Sequence, residues 1–273
     1  MPFQRLRRAM LVAGCVSPAI LAACGGGDVV KPFQPVRVVA LDGAESPWVQ
    51  QVASHYGVSA VGRAGGSSFA LGSALVSASN GSAPSLAARV QLAIDSGLSA
   101  DDLVMVSAGP ADIAAAGATQ ASVEAAAREV VAQVRRLIEA GARQVLVSDS
   151  YDLGLAPAAI SSLLTNAFNE SLLREFALSG TAVTKHVQTV ETRQLVQLIV
   201  FRNGVEYGIS NVTAAGCSGT SNGEVSGTVC PVGTTAAVAD PSVHLFADGI
   251  YLTRTGQLQV GDSAVSAARR RWG

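Results

Sequence analysis

The feature that most restricts the fold of this chain is a set of short, unbroken apolar runs separated by amphipathic stretches. Val36-Arg37-Val38-Val39-Ala40-Leu41, Leu103-Val104-Met105-Val106 and Gln144-Val145-Leu146-Val147 are rich in β-branched and aliphatic residues and scarcely alternate with polar ones. Strands of that kind need cover on both faces. Between them, Ser122 to Gly141 repeats Val123, Ala127, Val130, Val134, Leu137 and Ile138 at helical spacing, while Glu124, Arg128, Glu129, Gln133, Arg135 and Arg136 take the other faces. Ser122 is placed to cap that helix and Gly141 to end it. Residues 46–56, 85–97, 158–177 and 255–270 carry further helical patterns. The alternation predicts an α/β sandwich of three layers, α/β/α, around a mostly parallel sheet. Ligand sites in such sheets lie beyond the carboxyl ends of the strands, so the positions after Leu41, near residue 65 and after Val106 are the ones to read for chemistry.

Composition removes other classes. The 273 residues hold 19 Lys+Arg against 20 Asp+Glu, a net charge of -1, and the only lysines are Lys31 and Lys185. That balance offers no broad basic field for nucleic acid. A hydrophobic fraction of 49% at so small a net charge excludes intrinsic disorder. The mean hydropathy of +0.35 comes largely from alanine and valine spread along the chain, and after residue 30 no apolar run approaches the roughly 18 residues of a spanning helix.

The N-terminus reads as an address. Arg5, Arg7 and Arg8 precede an apolar run from Ala9 to Ala23, the order of a secretory signal. Leu21-Ala22-Ala23-Cys24 resembles the lipobox of bacterial lipoproteins, which implies cleavage after residue 23 and a diacylglycerol on Cys24. Residues 24–35, with Gly25, Gly26 and Gly27, form a tether, and 36–273 the folded domain. In Gram-negative lipoproteins an aspartate after the cysteine favours the inner membrane; Gly25 there points to the outer one. Cys15 falls in the discarded segment, which leaves Cys217 and Cys230 as a pair in an exported domain. Such a pair normally forms a disulfide, worth roughly 3 kcal/mol on the chain-entropy model. With no histidine near them in sequence, they make a poor metal site.

The blocks at the carboxyl ends of the strands are similar, in order, to those of the SGNH (GDSL-type) hydrolases, a family of secreted esterases and lipases. They are Trp48 to Gly57, Gly65-Gly66-Ser67-Ser68-Phe69-Ala70-Leu71-Gly72-Ser73-Ala74, Val106-Ser107-Ala108-Gly109-Pro110-Ala111-Asp112, and Leu245-Phe246-Ala247-Asp248-Gly249-Ile250-Tyr251-Leu252-Thr253. Asp152-Leu153-Gly154-Leu155-Ala156-Pro157, Phe168-Asn169 and Tyr207 to Asn211 add landmarks, and the likeness spans about residues 36–268. The resemblance implies a flavodoxin-like fold, a small acyl or ester ligand and no cofactor. It leaves the oligomeric state open.

The catalytic positions depart from the family. Its chemistry needs a serine nucleophile, a histidine base, an aspartate three residues before that histidine, and oxyanion donors from a backbone amide and an asparagine. Here Ala44 stands at the nucleophile, Ala111 at the asparagine and Tyr251 at the histidine, while Asp248 is present and the oxyanion amide falls on Gly72 or Ser73. A tyrosine with an ordinary pKa near 10 is ionised to about one part in a thousand at pH 7, a poor base. Three residues separate Ala44 from Trp48, fewer than in the family. Ser46 is the nearby hydroxyl, placed before Pro47 as a helix cap; the alternative reading makes it a displaced nucleophile in an active carboxyl-ester hydrolase. His55, His186 and His244 do not complete the pattern. Gly261-Asp262-Ser263 spells the family's nucleophile motif but lies in the last helical stretch. The sequence therefore points to a lipid-anchored SGNH-type pseudoenzyme. A generic flavodoxin-like nucleotide or flavin binder lacks a phosphate-cradling glycine loop after its first strand.

Overall fold

The three apolar runs become neighbouring strands of one sheet. The computed structural model describes residues 32–41, 46–61, 75–79, 84–219, 230 and 234–273. In chain order the elements are β1 (Arg37–Ala40), α1 (Pro47–Tyr56), β2 (Ala60–Val61), α2 (Leu86–Asp95), β3 (Asp102–Ser107), α3 (Pro110–Ile113), α4 (Gln120–Glu139), β4 (Gln144–Ser148), α5 (Ser162–Leu178), α6 (Thr181–Thr184), β5 (Val187–Val190) and α7 (Thr192–Phe201). There follow β6 (Asn211–Ala215), β7 (Cys217–Gly219), β8 (Thr234–Ala236), β9 (His244–Phe246) and α8 (Arg254–Trp272).

The sheet runs β2-β1-β3-β4-β5, and each of its pairings is parallel. Val38, Val39, Leu103, Val104, Met105, Val145, Leu146 and Val147 are fully buried or nearly so, as unbroken apolar strands require. The helices divide into two groups, α1 and α7 packing on α8, and α2, α3 and α5 packing on α4. Right-handed crossovers put those groups on opposite faces, so the architecture is α/β with a parallel sheet between helical layers. Outside the sheet, β6 pairs with β9 and β7 with β8. The disulfide joins Cys217 of β7 to Cys230.

Helix boundaries follow local chemistry, with one correction. The cap of α4 is Thr119, three residues before the expected Ser122. Its hydroxyl accepts the Ser122 N–H at 3.2 Å, and Ser122 Oγ accepts the Thr119 N–H at 2.9 Å. This reciprocal capping box satisfies two end donors at once, which Ser122 alone would not do. Gly141, just past the helix, sits at φ 120, a conformation that suits glycine. Helix α5 starts at Ser162, later than the expected residue 158, because Ala159 at φ 49 breaks any helical path.

At the edge where the strands begin, Arg37 of β1 grips Asp102 of β3. Nε and Nη2 donate to the two carboxylate oxygens at 2.8 and 3.0 Å, and the Ser99 N–H adds a third bond at 2.8 Å. Asp102 is fully buried, so the pair also fixes the β1–β3 register at its first residues. Replacing Arg37 with alanine strands a buried carboxylate and is expected to lower unfolding free energy by about 3 kcal/mol, read from urea midpoints. A loss below about 1 kcal/mol would show that water replaces the guanidinium at no cost.

Candidate functional site

A sheet ordered β2-β1-β3-β4-β5 has its switch point between β1 and β3. The chain leaves β1 towards one edge and returns to β3 on the other side, and sheets of this kind place their ligand sites beyond the carboxyl ends of the strands at such a point. Leu41 ends the first strand's path and is fully buried. Ala44, Gly72, Ser73 and Cys24, with the signal segment 1–23 and the tether up to Lys31, lie outside the described residues.

Beyond β3, Gly109 turns the chain into α3. It adopts φ 115, and a Cβ there would meet Phe168 Cε1 of α5 at 2.7 Å. Glycine is needed on both grounds. The turn sets Ala111, half-buried, where an oxyanion asparagine is expected, and its methyl donates nothing. The next residue, Asp112, accepts the Val76 N–H at 3.1 and 3.2 Å. On the other wall, buried Arg89 of α2 donates from Nη1 to the Leu41 carbonyl at 2.6 Å. Burial pushes the Asp112 carboxyl up to about 6, against the pull of the Val76 amide and of the Arg89 charge. Arg89 was absent from the sequence reading, yet it left a signal. It shares the inward face of α2 with Leu86, Val90 and Ala93, a polar residue at a core position.

The turn between β9 and α8 holds Asp248 and Tyr251. Asp248 Oδ1 accepts the N–H of Ile250 at 2.8 Å and of Tyr251 at 2.7 Å, and the Ala247 N–H closes the turn on the Tyr251 carbonyl at 2.7 Å. Two bonds fasten it to the segment after β4: Tyr151 Oη donates to the Ile250 carbonyl at 2.7 Å, and the Ala158 N–H to the Gly249 carbonyl at 2.9 Å. The Asp248–Tyr251 turn is thereby held beside the carboxyl end of β4, on the side of the sheet where Ala111 follows β3. The Cys217 N–H, donating to the Ala247 carbonyl at 2.7 Å, ties the disulfide ribbon to the same turn.

The hydroxyl and imidazole groups serve other contacts. Ser46 occupies the N-cap position of α1 with Pro47 next, but its side chain does not cap; Oγ donates to Gln257 Oε1 of α8 at 2.7 Å. His55 is exposed in the last turn of α1 with its ring against Tyr56. His186 sets Nδ1 3.1 Å from the Arg143 carbonyl, and buried His244 sets Nδ1 3.3 Å from the Asp240 carbonyl. Among the described residues, no histidine ring is hydrogen-bonded to a serine hydroxyl or a carboxylate. The Gly261-Asp262-Ser263 triplet works inside α8: a Cβ on Gly261 would meet Gln51 Cβ at 2.6 Å, and Asp262 Oδ1 accepts from Gln51 Nε2 at 2.7 Å. It seats α8 on α1. Among the described residues no cluster of three or more His, Cys, Asp or Glu is arranged for a metal ion, and no helix is long and apolar enough to cross a membrane.

A second raised carboxyl lies after β4. Asp149 accepts the Arg193 N–H at 2.9 Å and so caps α7, whose own N-cap residue Glu191 makes no such bond. Burial pushes Asp149 up to about 6; the amides of Arg193 and Thr192 oppose the shift and the Glu191 charge adds to it.

No protein-family model and no curated protein matches this chain. Among solved structures it is similar to a gut microbial diltiazem-metabolizing enzyme, with a TM-score of 0.44 and 11% identity over 88% of this chain and 48% of that one. The chain thus spans about half the length of that neighbour.

Asp112 and Asp149 give a pH dependence of defined sign. Both bind a proton in the folded chain at about 6 and, unfolded, at about 4. Between those values the folded state holds the extra proton, so their contribution to stability falls as pH rises from about 4 to about 6 and is flat above. Relative to Asp149→Asn, the parent chain is expected to lose stability over that window with a slope of up to about 1.4 kcal/mol per pH unit. Urea titrations at half-unit steps read the slope; a pH-independent difference would contradict the raised value.

Proposed function

We propose that this chain is an exported lipoprotein with an SGNH-type hydrolase fold that no longer cleaves esters, and that the crevice beyond β1 and β3 serves as a binding surface for a small acyl or ester ligand. The observation that carries this reading is the want of a base: tyrosine stands where the histidine belongs, and among the described residues the His186 and His244 rings face backbone carbonyls instead of a serine or a carboxylate. Asp248 Oδ1 accepts two amides of its own turn. Ala111 supports it from the other wall, and Ser46 is bonded to an amide oxygen rather than to a base. Loss of a triad serine or histidine costs about a million-fold in turnover, and the losses do not add because the unit fails together.

Nitrophenyl acetate and butyrate, with a fluorophosphonate probe as a second readout, test the reading on the chain after Cys24. Turnover and labelling at the level of a Ser46→Ala control are expected. Activity well above that control would restore the alternative, a hydrolase working through Ser46. The double variant Ala44→Ser, Tyr251→His is expected to stay inactive, since Ala111 still offers no donor and the segment between Ala44 and Trp48 remains short. Rates in that variant more than about 100-fold over parent would refute the argument from the missing donor.

We also infer that Cys24 carries the lipid and that the protein resides in the outer membrane of a Gram-negative cell. Metabolic labelling with radioactive palmitate is expected to mark the full chain and to fail for Cys24→Ser. Equal labelling of the two would overturn lipidation at that residue.

A further inference from the structure

The opposite edge of the sheet, where the strands begin, carries cations that the proposed function does not use. Arg135 of α4, Arg143 before β4, and Lys185 and His186 before β5 surround a shallow depression of 480 Å³, with Glu139 as the acidic group in its lining. Arg271, in the last turn of α8, adjoins them by donating to the Thr184 carbonyl at 3.1 Å. The guanidinium groups are held by neutral acceptors: Arg143 by the carbonyls of Ile138 and Ala142 at 2.9 and 2.8 Å, Arg135 by Ser179 Oγ at 3.3 Å. Among the described residues the ion pairs are Arg37–Asp102, Arg128–Glu124, Arg174–Glu175 and Arg202–Glu206, so none of these cations is in a contact ion pair with a carboxylate. Burial holds the His186 ring below the usual imidazole range, and the nearby charges of Lys185, Arg143 and Arg271 push it the same way.

Two further observations fall on this edge. Helix α5 follows β4 and ends here, where Arg135 donates to Ser179 Oγ, so that the neighbouring Leu178, 73% exposed, lies at this edge. An exposed apolar side chain beside cations held by neutral acceptors suits a surface that meets the interfacial layer of a bilayer. The folded part of the chain also starts here. The Phe33 N–H donates to the Trp272 carbonyl at 2.9 Å and their rings pack edge to face at 6.1 Å. Pro32 therefore emerges beside the last turn of α8, whose Arg271 reaches the basic depression.

We propose that this amino edge is a docking face for anionic phospholipid headgroups, which seats the domain on the membrane that its lipidated cysteine anchors. The proposal rests on the lipidation reading for its geometry. In the sequence, Gly25 to Lys31 link the proposed anchor to Pro32. The described part of the chain begins at this edge, so this is the face at which the proposed anchor joins the domain. There it comes within the Debye length of about 8 Å at which the cations act on a charged surface.

Residues 32–273 form one compact unit with its own core, so docking is measured on the unlipidated chain after Cys24, independently of the anchor. Co-sedimentation is run with vesicles of phosphatidylcholine alone and with 30 mol % phosphatidylglycerol, in low and high salt. Binding to the anionic vesicles, loss of it in high salt and none to neutral vesicles are expected. Lys185 is exposed, and Lys185→Glu is expected to weaken partitioning about 20-fold. The combination Arg143→Glu, Lys185→Glu, Arg271→Glu abolishes it with thermal melting checked in parallel, whereas Arg128→Glu with Arg254→Glu, an equal kind of charge change away from this edge, leaves it unchanged. Absence of binding by the parent, or equal binding by the Lys185 variant, would overturn the proposal. So would release by inorganic phosphate beyond that by chloride at equal ionic strength, which would mark a pocket for free phosphate instead. Failure here with palmitate labelling intact would refute docking alone; the converse would refute the anchor alone.

Discussion

Burial of the parallel sheet on both faces is the constraint from which the rest of the molecule follows. Strands covered on both sides are apolar throughout, and a parallel strand is reached only by a crossover, here carried by helices. Each strand then ends at one edge and each crossover helix at the other. The carboxyl edge collects helix N-termini with their unpaired amides, and the amino edge collects helix C-termini with their unpaired carbonyls. The chain answers both. Asp149 caps α7 at the first edge, and Arg143 and Arg271 take helix-end carbonyls at the second. A sequence of almost balanced charge thus becomes a molecule with a cationic patch at one end.

How much of this was readable depends on whether local pattern or distant contact decides a residue's place. β1, β3, β4, α1, α2, α4, α5 and α8 were legible because their apolar residues recur at one period over enough length. β5 was blurred because it is an edge strand, and Gln188 and Thr189 break its apolar run. α7 lies outside the helical stretches read from the sequence: Val196, Ile199 and Val200 are β-branched and weaken the helical signal, although Thr192, Val196 and Ile199 share a buried helical face. The short β6–β9 pairing joins residues more than thirty apart in the chain, which no window along the sequence sees. At the site, the positions of Asp248, Tyr251 and Ala111 were named from the sequence. The roles of Arg89, Asp112 and Asp149 were not, because each is set by a partner from another segment.

The Asp248 turn separates what a fold needs from what a reaction needs. An aspartate whose side chain accepts the amides two and three residues ahead is a turn-forming device in its own right. Here that device stands at the junction of the disulfide ribbon, the segment after β4 and the start of α8, where Thr253 caps the helix by accepting the Gly256 N–H and donates to the His244 carbonyl. Removing the carboxylate would loosen all of these, whatever residue stands at position 251. Its presence is therefore explained by stability alone and carries no weight as a catalytic remnant. Under the proposed reading, Ala111 and Tyr251 are the positions that bear on chemistry.

The two edges also constrain each other. Strands of four to six residues span roughly 13 to 20 Å, and the loops and short helices beyond them add to that distance. A domain seated by its amino edge therefore carries the crevice beyond β1 and β3 clear of the headgroups, facing the aqueous phase. An acyl chain still embedded in the bilayer cannot span that gap without leaving the membrane, at about 0.8 kcal/mol for each CH₂ exposed. The proposed seating would thus favour a water-borne ester or short acyl ligand over a membrane lipid. Under the proposed lipidation and docking, the lipid on Cys24 would serve to position the domain and the proposed ligand would arrive from the opposite side.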